Sequence, residues 1–432
     1  MTRFDPAGPL RGSLRPPADK SVSHRAALIA AMTEGETAIE GYLKAADTMS
    51  TLKAAQAVGA WIGKVGPEVR VRGVGLRGAQ PATIDVGNAG TLLRLLPGWL
   101  AGQGRGEWTL DGDDSIRRRP VDRVALPLRQ MGAELSAREE RLPPLRISGA
   151  TLRGIEYELP VASAQVKSCL LFAGLLAEGE TRIVEPLPTR DHSERMLAAA
   201  GAEVRREQRE DGAGVVTIRP SERLEVDRIV VPADLSSAAF FVVAALLVPG
   251  SEVFIHEVGL NPTRIGLLTI LERMGAEIEA TPVGEQGGEP IGDLRIVASG
   301  LRATEVGGAE VPLAIDELPL VALAACFAEG TTTIRDAAEL RRKESDRIET
   351  VSSALRALGG KVEPTPDGMV IEGGGGLRGG AIESHGDHRI AMLGAVAGLA
   401  SAEGVEVVGM DAAAVSYPGF EGDLAALLGD SG

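Results

Sequence analysis

The stretch DHRIAMLGAVAGLASAEG, residues 387–404, opens on Asp387-His388-Arg389, continues as a helix with no polar face, and stops at Gly404, a glycine turn leading into a strand. A helix that is apolar all round has to be covered on every side. The same construction occurs five more times. Its other openings are Asp19-Lys20-Ser21, Asn88-Ala89-Gly90-Thr91, Ser163-Ala164-Gln165, Asp234-Leu235-Ser236-Ser237 and Asp316-Glu317. The closing turns fall near Gly35, Gly104, Gly179, Gly250, Gly330 and Gly404, at intervals of 69, 75, 71, 80 and 74 residues. A near-constant period dictates architecture before any single motif is considered. It also creates six helix N-termini, each able to receive an anion.

Between the apolar helices lie amphipathic ones that end in a short glycine signature: AVGAW, QMGAEL, AAGAEV, RMGAEI and ALGGKV, closing near Gly59, Gly132, Gly201, Gly275 and Gly359. Glycine there suits a left-handed C-terminal cap. Strand-like runs follow, among them Val215–Ile218 and Met369–Ile371, and a sixth amphipathic segment spans Asp423 to Leu428. Gly174, Gly394 and Gly398 lie inside the apolar helices, where they allow close approach of a neighbour. The unit is therefore strand, outer helix, strand, inner helix, with further strands: an α/β fold of six βαβ-type repeats. Three units around one set of inner helices make a domain of ordinary size. The expected division is 20–233 for the first three-repeat domain and 1–19 plus 234–432 for the second. The N-terminal strand then joins the second domain, and a ligand cleft lies between the two.

Composition narrows the function. Apolar residues are 44% and charged residues 24% of the 432, as in an ordinary soluble protein. The two cysteines, Cys169 and Cys326, lie inside apolar helices and read as buried free thiols, which suits a reducing cytoplasm. The opening MTRFDPAGPL carries no apolar signal region, and the longest apolar run, Ala238 to Val248, is too short to span a bilayer. A net charge of −15 argues against nucleic-acid or anionic-membrane partners. An anionic substrate must then be met by locally gathered cations.

Such gatherings are present. Lys20 and Arg25 begin the first inner helix, Arg389 begins the last, Arg117-Arg118-Arg119 precede Pro120, and Lys343 and Arg347 begin an outer helix. A cation at a helix N-terminus opposes the macrodipole by roughly 0.3–1 kcal/mol. One such residue reads as a solvated surface arginine; four sets imply a bound anion. Two carboxylates stand among them. Asp316 precedes an inner helix, where an aspartate would ordinarily be an N-cap. Glu344 lies three residues before Arg347, a spacing that places both on one helical face. Two carboxylates on different helices can serve one reaction as base and acid.

Lys20-Ser21-Val22-Ser23-His24-Arg25, Gly87-Asn88-Ala89-Gly90-Thr91, Arg119-Pro120, Ser163-Ala164-Gln165, Asp316-Glu317-Leu318-Pro319, Arg342-Lys343-Glu344-Ser345-Asp346-Arg347 and Gly386-Asp387-His388-Arg389 occur in this order, in register with the repeat. With them the whole chain closely resembles the 5-enolpyruvylshikimate-3-phosphate (EPSP) synthase family, the 3-phosphoshikimate 1-carboxyvinyltransferases. The resemblance implies a two-domain fold that closes over its substrates, shikimate 3-phosphate and phosphoenolpyruvate. It implies no cofactor and no metal. It makes Asp316 the base at the 5-hydroxyl, Glu344 the acid at C3 and later the base there, and Lys20 a contact to both substrates that aids departure of phosphate. Phosphoenolpyruvate falls to Lys20, Gly90, Arg119, Gln165, Arg347 and Arg389. Shikimate 3-phosphate falls to Lys20, Ser21, Arg25, Ser163, Ala164, Gln165, Arg190, Asp316 and Lys343. A cytoplasmic monomer is expected.

The chain departs from the family pattern at three places. Ala164 replaces a serine, Val415 stands where many members have lysine, and Arg190-Asp191-His192 replaces a tyrosine segment; Arg190 and Lys167 are expected to supply the lost contacts. Two other functions share the architecture. A UDP-N-acetylglucosamine enolpyruvyl transferase usually carries a loop cysteine, and 111–119 has none. A clamp-like ring around nucleic acid would need basic helix faces, whereas these are apolar. His385, Asp387 and His388 could be read as a metal cluster, but no partner cluster appears and Arg389 adjoins them.

Overall fold

A computed structural model describes residues 1–429 and divides the chain into two compact units. One contains 1–17, 233–284 and 290–432; the other contains 18–232 and 285–289. The first is called unit 1 and the second unit 2.

Unit 2 contains three four-stranded sheets and three inner helices, Lys20–Met32, Gly90–Ala101 and Ala164–Gly174. In each sheet one strand pair is parallel and two are antiparallel. In the first of them, Arg228–Val230 runs parallel to Glu36–Glu40, which pairs antiparallel with Glu68–Arg72, which in turn pairs with Trp61–Val65. The other two repeat this order. The inner helices, with Leu28, Ile29, Leu93, Leu96, Leu170 and Phe172 wholly buried, form one continuous apolar core. Gly98 lets the second and third inner helices meet, since a Cβ there would overlap the Cys169 carbonyl.

Unit 1 repeats the plan with inner helices Leu235–Leu247, Leu318–Phe327 and His388–Ala400, two four-stranded sheets and one three-stranded sheet. The N-terminal strands complete it. Thr2–Phe4 pairs antiparallel with Val405–Val408, and Arg11–Leu14 lies parallel to Glu252–Gly259. A Cβ on Gly398 would come 2.6 Å from the Phe4 Cβ, so glycine is what admits the first strand against the last inner helix. Gly394 and Gly174 are likewise crowded by Ile382 and Ile218.

Local signals account for most helix ends. Asp19, Ser163, Asp234 and Asp387 are N-caps whose side chains accept a backbone N–H of the first turn. All five glycines of the outer-helix signature have φ between +90° and +104°, the conformation that a left-handed cap demands. Asp316 departs from the expected role. The helix behind it begins at Leu318, Glu317 occupies the capping position, and Asp316 is left two residues ahead, its carboxylate turned to Lys343 and Arg347. Cys169 and Cys326 are free and buried, and burial pushes the Cys326 thiol up to about 12. Among the described residues no helix is long and apolar enough to cross a membrane.

Candidate active site

The residues singled out from sequence divide between the units. In unit 2, Asp19 caps the first inner helix and brings Lys20, Ser21 and Arg25 to its opening turns. Lys20 Nζ lies 3.3 Å from Asp47 Oδ2 and stays partly exposed. Arg25 is nearly buried. Its Nε donates to Ser193 Oγ at 2.7 Å, its Nη1 to the Ser21 carbonyl at 2.9 Å and its Nη2 to Ser168 Oγ at 2.9 Å. Burial lowers its pKa to about 10, partly offset by Glu194 and Asp19, while Arg190 adds to the lowering. Beside Arg25, the buried His24 ring is held neutral: burial first, then Lys20 and Arg25, lowers its pKa to about 3.

The second inner helix starts at Gly90, and Arg119 folds over that start. Arg119 Nη2 donates to Asn88 Oδ1 at 2.9 Å and to Ser115 Oγ at 3.2 Å. A Cβ on Gly90 would lie 2.7 Å from Arg119 Nη1 and 3.1 Å from Arg94 Nη1, so a side chain there would displace the guanidinium. The third inner helix is capped by Ser163, with Ala164 in its first turn; Gln165 Nε2 donates to Thr91 Oγ1 at 3.2 Å and ties the two helix starts together. Lys167 does not reach outward as the sequence reading expected. It is 1% exposed, with Nζ 2.9 Å from Glu185 Oε1 and 2.6 Å from Glu194 Oε1, and so is committed to internal charge balance. The sequence carried no signal for Glu185 or Glu194, which lie 18 and 27 positions away on other elements.

In unit 1 the charges are concentrated. Arg347, only 1% exposed, opens the outer helix Arg347–Ala357. Its Nε donates to Asp387 Oδ2 at 2.8 Å and its Nη2 to Asp387 Oδ1 at 3.2 Å; Nη2 also donates to Glu344 Oε2 at 2.7 Å and Nη1 to Asp316 Oδ1 at 3.4 Å. Lys343 Nζ lies 3.2 Å from the same Asp316 oxygen. Burial alone would lower the Arg347 pKa, but Glu344, then Asp387 and Asp316, outweigh it and the net shift is upward. For Asp387, burial opposes ionisation, yet Arg347 prevails and the carboxyl is held below its ordinary range. Glu344 meets Arg347 by a different route from the expected helical face: it precedes the helix, and a turn returns its carboxylate to the first helical residue.

Arg389 begins the last inner helix, its backbone N–H on Asp387 Oδ1 at 2.9 Å. Its Nη2 donates to Ser236 Oγ at 3.0 Å and its Nη1 stands 3.6 Å from Glu317 Oε1. Buried Arg264 shares both partners. Arg264 lies in no helix opening of the sequence, where Glu317 and Ser236 stand only as helix openings. Among the described residues no group of three His, Cys, Asp or Glu side chains is arranged to hold a metal ion, and Asp387 is spent on Arg347.

Unit 2 therefore brings Lys20 and Arg25 to one helix opening, with Arg190 near enough to Arg25 to lower its pKa. Unit 1 holds two carboxylates wired to buried arginine. Against known proteins, the model of the family EPSP synthase (3-phosphoshikimate 1-carboxyvinyltransferase) matches residues 4–424. A 3-phosphoshikimate 1-carboxyvinyltransferase of Thermus thermophilus is 51% identical over 431 residues, covering 99% of each chain. The protein of that name from Synechococcus sp. (strain RCC307) is 50% identical over 425 residues, 97% of each chain. A solved EPSP synthase of Acinetobacter baumannii superposes with a TM-score of 0.85 at 43% identity, covering 97% of this chain and 96% of that one.

Proposed function

The chain belongs to the EPSP synthase family, and we infer from that premise that it transfers the carboxyvinyl group of phosphoenolpyruvate to the 5-hydroxyl of shikimate 3-phosphate, releasing inorganic phosphate. It is an enzyme, a transferase of the shikimate pathway. The observation that supports the residue assignments best is the unit 1 cluster, in which one buried arginine carries both candidate acid–base carboxylates, Asp316 and Glu344, within hydrogen-bonding range.

The proposed sequence of events uses residues of both units. Lys20, Ser21, Arg25, Ser163, Ala164, Gln165, Arg190 and Lys343 hold shikimate 3-phosphate. Arg25 and Arg190 supply two positive charges for its phosphate; arginine's planar fork matches phosphate oxygens. Lys20, the Gly90 backbone, Arg119, Gln165, Arg347 and Arg389 hold phosphoenolpyruvate. Asp316 removes the proton of the 5-hydroxyl as its oxygen bonds to C2 of phosphoenolpyruvate. Glu344 delivers a proton to C3, and a tetrahedral adduct results. Glu344 then takes a proton back from C3 while the C2–O bond to phosphate breaks, with Lys20 stabilising the leaving group. An anion bound to Arg347 would draw that arginine away from Glu344. A carboxyl without its arginine partner holds a proton more readily, as the delivery step requires.

Cytoplasmic location and a monomeric state, without nucleic-acid or membrane partners, complete the reading; the net charge of −15 and the two buried free thiols support the last and the first of these. The test mixes purified protein with shikimate 3-phosphate and phosphoenolpyruvate and follows free phosphate. Phosphate release that requires both substrates is expected. Release with UDP-N-acetylglucosamine in place of shikimate 3-phosphate, or none with the authentic pair, would overturn the assignment.

A further inference from the structure

The opening of the fourth inner helix, Asp234-Leu235-Ser236-Ser237, is the one acidic, serine-bearing opening to which the reaction assigns no substrate. In the structure its Ser236 is buried and stands between two arginines. Ser236 Oγ accepts from Arg264 Nη2 at 2.8 Å and from Arg389 Nη2 at 3.0 Å, and it donates its own proton to Glu317 Oε1. A hydroxyl has one proton and two lone pairs, and all three are used. The rotor is therefore fixed, and with it the line along which Arg389 is gripped.

The charges around Ser236 balance internally. Arg264 Nη1 and Arg389 Nη1 each stand 3.6 Å from Glu317 Oε1, and Arg264 Nη2 lies 3.3 Å from Asp234 Oδ1. Two guanidinium groups thus meet two carboxylates. Glu317 is shared, so neither arginine closes onto it at direct hydrogen-bond range. Arg264 is almost wholly buried, whereas Arg389 keeps 12% of its side chain exposed. Of the two, Arg389 is the one presented outward.

We propose that Ser236, Glu317 and Arg264 are positioning residues that hold the Arg389 guanidinium in its phosphoenolpyruvate-binding orientation; this rests on Arg389 being a ligand of that substrate. The division of labour follows from the contacts. Ser236 sets the direction of Nη2. Glu317 supplies the buried counter-charge. Arg264 shares that counter-charge, so that Glu317 stands 3.6 Å from Arg389 Nη1 and does not close onto it, and the guanidinium is left open to the incoming anion. A long side chain ordered in advance loses less freedom when substrate arrives.

The test is a double-mutant cycle with the two substrates titrated separately. Ser236→Ala is expected to raise the KM for phosphoenolpyruvate about tenfold, the scale of a hydrogen bond to a charged group, with the KM for shikimate 3-phosphate unchanged. Arg389→Ala with Ser236→Ala is expected to match Arg389→Ala alone, because a residue acting through Arg389 has nothing left to act on. Glu317→Gln, which keeps an acceptor for Ser236 and removes the charge, repeats the test should Ser236→Ala disturb the helix start. Additive losses in the double variant, or equal rises in both KM values, overturn the proposal. Should Arg389→Ala weaken phosphoenolpyruvate while both Ser236→Ala and Glu317→Gln do not, the positioning role fails alone. Should Arg389→Ala leave that KM unchanged, the ligand assignment fails first and takes the proposal with it.

Discussion

Asp387 holds Arg347 through two hydrogen bonds, Nε to Oδ2 at 2.8 Å and Nη2 to Oδ1 at 3.2 Å, across 40 positions of sequence, with both side chains almost wholly buried. The same aspartate caps the last inner helix by accepting the Arg389 N–H. One carboxylate thereby fixes two arginines, one by its oxygens and one by the helix it starts. Removing one partner of a buried pair leaves an uncompensated charge and costs about 3–5 kcal/mol. Asp387→Ala is expected to lower unfolding stability by that order in urea titrations. A loss under about 1 kcal/mol, the scale of an exposed pair, would mean that Glu344 and Asp316 suffice as counter-charges.

The two carboxylates proposed for acid–base work are expected to be separable from stability. Asp316 and Glu344 are partly exposed and are not helix caps. Asp316→Asn and Glu344→Gln are expected to fold, with turnover down roughly 10²–10⁴-fold, the usual scale for acid–base groups. Single-turnover phosphate release checks each; undiminished turnover in either variant removes that residue from the chemistry.

Gly90 is predicted to tolerate no side chain without cost to phosphoenolpyruvate. A Cβ there meets Arg119 Nη1 at 2.7 Å, so the guanidinium must leave Asn88 and Ser115. The obstacle is the far end of a flexible chain, and folding should survive. Gly90→Ala is expected to raise the KM for phosphoenolpyruvate by about tenfold, worth roughly 1.4 kcal/mol, with the thermal midpoint unchanged. Equal KM values for wild type and variant would show that Arg119 is not held where the substrate needs it.

His24 predicts a pH dependence. Its folded pKa, about 3, lies below its ordinary 6.5. The unfolded chain therefore binds more protons between those values, and stability rises with pH there. The neutral ring's contribution is fully present above pH 6.5 and is lost as pH falls toward 3, by about 1.4 kcal/mol per unit where the difference is complete. His24→Gln should flatten the stability profile across the upper part of that window. An unchanged slope would assign that pH dependence to carboxylates.

How much was legible in the sequence follows from the range of each interaction. The six-fold repeat, the aspartate and serine caps at 19, 163, 234 and 387, and the left-handed glycines at 59, 132, 201, 275 and 359 depend on neighbours within one helical turn, and a linear pattern records them. The cations at 20, 25, 347 and 389 were visible because each stands in the opening turns of its own helix, and Arg119 as part of the basic run before Pro120. The structure alone decided which carboxylate each cation meets. Lys167 turned inward to Glu185 and Glu194, Asp316 turned from capping to Lys343 and Arg347, and Arg264 joined Arg389 on Glu317 and Ser236. Polar partners separated by 18 to 153 residues are chosen by where packed helices bring their first turns, and no local rule of spacing contains that information.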